Sequence, residues 1–81
     1  MNDKQRQALI TRALIQITEA PDAIQVHTAA GFARGYLEGM LEEGGLSVEV
    51  ARSLQKIAVS RCDTRLAVLD GRAEEAAVKG E

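Results

Sequence analysis

The chain has 81 residues, 46% of them apolar but only Phe32 and Tyr36 aromatic, and its formal charge is −2. That length fits one domain, residues 1–81, near the lower limit for a self-sufficient core, and a core without large aromatics is thin. Mild acidity excludes general attraction to a nucleic-acid backbone, and no apolar run approaches the length of a membrane span.

Small, thinly packed chains commonly gain stability by association, so a homo-oligomer, in the first place a dimer, is expected. Cys62 is the only cysteine, so no intrachain disulfide can form. The opening MNDKQRQ is charged and lacks the apolar stretch of a signal peptide. The expected location is the cytoplasm, with no membrane contact.

The apolar spacing predicts an all-α protein, a three-helix hairpin or bundle with helices over about 3–19, 21–43 and 47–69. In the first, Asn2 or Asp3 can cap the N-terminus, and Leu9, Ile10, Ala13, Leu14 and Ile17 share a face. Pro21 suits the first position of the second helix, with Asp22 beside it complementing the positive end of the dipole. Its core stripe is Val26, Ala30, Ala33, Leu37, Met40 and Leu41, and Gly44-Gly45 stops it. Ser47 caps a third helix carrying Val50, Ala51, Leu54, Ile57 and Ala58, which Asp70-Gly71 is expected to end. Residues 72–81 are then a frayed helix or a loose tail.

Two features exceed what a core requires. Gly31, Gly35 and Gly39 stand four residues apart inside the second helix. Each costs about 1 kcal/mol relative to alanine, a large sum for a domain whose whole stability is on the order of 5 kcal/mol. At about 100° per residue they fall opposite Val26, Ala33 and Leu37. They form a shallow groove with Phe32 and Tyr36 on one side and His27, Arg34 and Glu38 on the other. Small residues let another backbone approach closely. The visitor can be a sister helix, a second copy or a foreign target, and the candidate interface is Gly31, Phe32, Gly35, Tyr36 and Gly39.

The second feature is Arg61 and Arg65, which project into the apolar arc of the third helix beside Leu54 and Ala58. Either the helix breaks near Val59-Ser60 and the apolar face moves to Cys62, Leu66 and Leu69, or the arginine stems lie over the core. In the second case the heads pair with carboxylates such as Glu38 or Glu42. With Arg72 they can also make an anion- or partner-binding strip.

Catalytic and cofactor chemistry finds little support. His27 and Cys62 are single in their kinds, so neither a Cys-His pair with an orienting group nor a zinc cluster assembles convincingly in one chain. GFARGYLEG interrupts a helical pattern instead of joining a strand to a helix, so it is no phosphate loop. Glu42-Glu43 and Glu74-Glu75 read as a solvated helix end and a tail. SVEVARSLQKIAVSR has the flavour of a helix-turn-helix, but Gln55 stands where a small turn residue is needed after Ala51. No catalytic residue, metal or cofactor is expected, and no nucleic-acid partner by this route.

The stretch AAGFARGYLEGMLEEGGLS, residues 29–47, resembles a pattern in short accessory proteins of bacteriophages and prophages: a small-residue-rich helix, a Gly-Leu turn, then Ser and another helix. The resemblance covers about a quarter of the chain and supplies no functional residue. It implies stoichiometric binding to a bacterial protein, for example inhibition of a host enzyme or of a defence complex such as a CRISPR effector. The reading is a non-enzymatic helical protein-binding module. Two alternatives stand beside it: an oligomeric nucleotide- or nucleic-acid-binding protein using the arginines, and a structural assembly subunit.

Overall fold

Side-chain caps at the helix starts and a glycine turn set the helix boundaries in the computed structural model, which describes the backbone of residues 1–79 and the side chains of residues 1–71. Helix α1 runs Asp3–Glu19, α2 Ala23–Glu42 and α3 Val48–Lys79. Asn2 caps α1 in a reciprocal box. Its Oδ1 accepts the Gln5 N–H at 2.8 Å and its own N–H donates to Gln5 Oε1 at 3.0 Å, which satisfies two otherwise orphaned donors.

Helix α2 starts two residues later than the proline suggested. The Asp22 carboxylate accepts the Gln25 N–H at 2.8 Å, so Asp22 is the extended cap and Pro21 lies in the bend before it. A side-chain acceptor at the cap outweighs the preference of proline for the first helical position. The other end closes as a Schellman turn. Gly45 N–H donates to Met40 O at 2.9 Å and Gly44 N–H to Leu41 O at 3.1 Å, with Gly44 at φ 77°. At Gly45 the Arg6 side chain folds across the turn, and a Cβ there would come within 2.8 Å of its flexible end and displace it. Arg6 is held in turn by the Met1 carbonyl at 2.6 Å and by Asp3.

The three helices form a rod of 55 × 19 × 16 Å. Its core is mostly alanine: Ala13, Ala20, Ala29, Ala33, Ala51 and Ala58 are buried beside Ile17, Val26, Leu37 and Met40. Among the described residues Ile17 and Val26 are completely enclosed, with Leu37 and Met40 nearly so. Small core residues bring helix axes close and give each interface little apolar area.

Helix α3 is continuous, so the break considered near Ser60 does not occur, and Asp70-Gly71 does not end it. One glycine costs about 1 kcal/mol, and strong helix formers such as Ala73, Glu74, Glu75, Ala76 and Ala77 follow it. The seam of α3 is Ala51 and Ala58, with Cys62, Leu66 and Leu69 packed partly against the main cluster. Val50 and Ile57, assigned to the core from spacing, are 47% and 43% exposed. They lie about 100° round the helix from Ala51 and Ala58, on the edge of the buried arc.

Candidate functional site

Helix α2 lies between its two neighbours and turns one full face outward. Val26, Ala29, Ala33, Leu37 and Met40 point inward. On the opposite side, a Cβ built on Gly31, Gly35 or Gly39 would meet nothing within 4 Å. Neither α1 nor α3 crosses there. The glycine row is therefore an open surface, not an internal helix crossing.

Large apolar groups share this face. Ile24 is 79% exposed, Phe32 57% and Tyr36 39%. The rings of Phe32 and Tyr36 stack with centroids 6.5 Å apart and planes 21° from parallel. Phe32 belongs to the α1 side, where Ala20, Pro21, Gln25, Thr28 and Ala29 line a shallow cleft with it. Charge borders the face on the α3 side. There Arg34 and Glu38 approach to 3.9 Å as a loose pair with both side chains mostly in water. A pair so placed contributes little to stability. The candidate residues Gly31, Phe32, Gly35, Tyr36 and Gly39 thus form one strip about 12 Å long, at 1.5 Å per residue. Ile24 extends it by nearly two turns and was missed by sequence reasoning. The signal was available, since position 24 stands seven residues before Gly31 and projects within about 20° of it.

Between α2 and α3 a groove of about 470 Å³ is lined by His27, Arg34, Leu37, Gln55, Val59 and Cys62, among others. His27 and Cys62, each the only residue of its kind, therefore border one groove. Among the described residues no hydrogen bond joins them, and no three metal-ligating side chains cluster there or elsewhere.

The arginines divide. Arg65 is half-buried, and its Nε donates to the carbonyl of Ala20 at 2.8 Å. The cation thereby covers an unpaired carbonyl at the C-terminus of α1, where the dipole also favours it. Pairing with Glu38 or Glu42, one of the two sequence expectations, does not occur, because those carboxylates belong to the opposite end of α2 from Ala20. Arg61 is exposed. It shares a cleft between α1 and α3 with Arg65, Thr18, Ser60, Thr64 and Val68. The side chain of Arg72 lies outside the described residues.

No helix among the described residues is long and apolar enough to cross a membrane. Comparison of the chain with protein families, with curated proteins and with solved structures finds no match.

Proposed function

We propose that this chain is a small protein-binding module that acts by occupying a surface, with no chemistry of its own, and that its contact surface is the outward face of α2. The observation that carries the proposal is the combination of three open glycines with exposed Ile24, Phe32 and Tyr36. Glycines inside a helix cost about 1 kcal/mol each, and an uncovered stacked aromatic pair leaves apolar surface in water. A visiting helix would offset both. A module of this size and mode fits a cytoplasmic modulator of a bacterial host or defence protein, the role implied by the likeness of residues 29–47 to phage accessory proteins.

A photo-crosslinking amino acid at position 32, compared with one at the exposed position 12 of α1, tests the face inside cells. Adducts are expected at position 32, not at position 12, and Gly35→Leu should abolish them without loss of helicity. Equal labelling at both positions, or none at position 32, would refute the proposal.

One further observation favours a second reading. Arg61 and Arg65 share their cleft with Ser60 and Thr64, a donor set suited to an anion such as phosphate, whereas the Thr18 hydroxyl in the same cleft already donates to the Leu14 carbonyl at 3.2 Å. Binding of inorganic phosphate or a nucleotide that weakens steeply with salt, and that Arg61→Ala abolishes, is the outcome this reading requires.

A further inference from the structure

Laid antiparallel on a second copy, the outward face of α2 matches both its small residues and its charges. Take Gly35 as the centre of the face. A two-fold axis passing beside it, perpendicular to the helix, lays a second α2 antiparallel on the first. Positions whose numbers sum to about 70 then oppose one another. Gly31 meets the partner's Gly39, and Gly35 meets the partner's Gly35, so the backbones can close along the whole row.

This operation keeps each flank on its own side. On the α1 side, Phe32 and Tyr36 come against the partner's Tyr36 and the partner's Phe32. On the α3 side, the polar residues in chain order are His27, Arg34, Glu38 and Glu42. Reversed against itself, that order sets Arg34 beside the partner's Glu38 and His27 beside the partner's Glu42. Every basic position on this flank finds an acidic one. A two-fold axis parallel to the helix exchanges the flanks instead. It places Arg34 and Glu38 over the aromatic pair, and Glu38 then faces rings with no cation for it. The loose 3.9 Å pair of Arg34 and Glu38 within one chain, both heads in water, leaves both free to reach across.

We infer that the occupant of the α2 face is a second copy of this chain, packed antiparallel about a two-fold axis at Gly35. The inference rests on the reading of this face as a protein-binding surface and puts a second copy there in place of a host protein, which would then have to displace that copy or bind elsewhere on the dimer. An isologous dimer of this kind is the commonest closed assembly of soluble proteins.

The test is a charge exchange read by sedimentation and light scattering on the full chain. Wild type should be a dimer whose dissociation is visible on dilution. Arg34→Glu alone puts acid against acid, and Glu38→Arg alone puts base against base, so each should weaken association about tenfold or more. Mixed one to one, the two variants should recover a dimer, because each then supplies the sign the other lacks. Both positions are exposed, and circular dichroism should show unchanged helicity in each variant.

A wild-type dimer that the mixture fails to restore would overturn the antiparallel arrangement. A wild type that stays monomeric at high concentration, while position 32 still forms adducts with another protein in cells, would overturn self-association and leave the protein-binding reading standing. Monomer with no adducts would sink both.

Discussion

Replacing Gly31, Gly35 and Gly39 together by alanine should make the isolated chain markedly more stable. Alanine exceeds glycine inside a helix by about 0.8–1 kcal/mol per position, chiefly because the unfolded chain has less freedom to lose. Small-to-large changes usually risk collision, but a Cβ at each of these positions meets nothing within 4 Å. The gain should therefore be realised nearly in full, and three positions sum to about 2.5–3 kcal/mol. For a domain of this length that corresponds to a rise of about 10–20 °C in Tm. The assay is far-UV circular dichroism of thermal and urea unfolding at high dilution, where association adds nothing. An unchanged or lowered midpoint for the triple variant would refute the reasoning, because it would require the glycine row to be packed within the monomer. The same substitutions should leave less room between paired backbones, so a more stable monomer and a weaker dimer should appear in one protein.

Arg65→Ala should destabilise the fold by about 1–2 kcal/mol in urea titration, since it removes a charge-assisted bond and leaves the Ala20 carbonyl without its donor. Arg65→Lys should recover only part of this, because an ammonium cannot present the planar edge that reaches the carbonyl. Asp22→Ala should cost about 1 kcal/mol through loss of the cap on α2, with Asp22→Asn close to wild type. Gly44→Ala should cost about 1–2 kcal/mol, because the turn holds that residue at φ 77°. The opposite sign for alanine at Gly44 and at Gly35, measured in one series, would separate backbone strain from simple helix propensity.

Apolar periodicity announced the helices because each carries apolar residues three and four positions apart, and at Gly44-Gly45 the stop signal is sharp. The turn at Gly44-Gly45, the cap at Ser47 and most of the inward stripe of α2 follow from local rules, although Ala29 is buried where Ala30 and Leu41 were expected and those two are only half-buried. Errors arose where local preferences competed. At Pro21-Asp22 a side-chain acceptor decided the helix start, and at Asp70-Gly71 the helix formers beyond outweighed one glycine. Val50 and Ile57 were misplaced because the width of a buried arc depends on how closely the neighbouring helices sit. An alanine-lined core sits close and shields little beyond its centre line. The openness of the glycine row was legible only as an alternative, since spacing gives the direction of a face and not what lies opposite. The partner of Arg65 could not be read at all: a backbone carbonyl carries no sequence signature, and Ala20 lies 45 positions away.

That distance also bears on the order in which the molecule assembles. Ile17 and Val26, both fully enclosed, belong to the α1–α2 hairpin, so a nucleus can form from residues close in the chain, as in fast-folding helical proteins. The guanidinium of Arg65 reaches Ala20 only after α3 has returned along the whole hairpin. It acts as a late latch, and its loss should accelerate unfolding while leaving the folding rate nearly unchanged in a chevron. A slowed folding limb would instead place the third helix inside the nucleus.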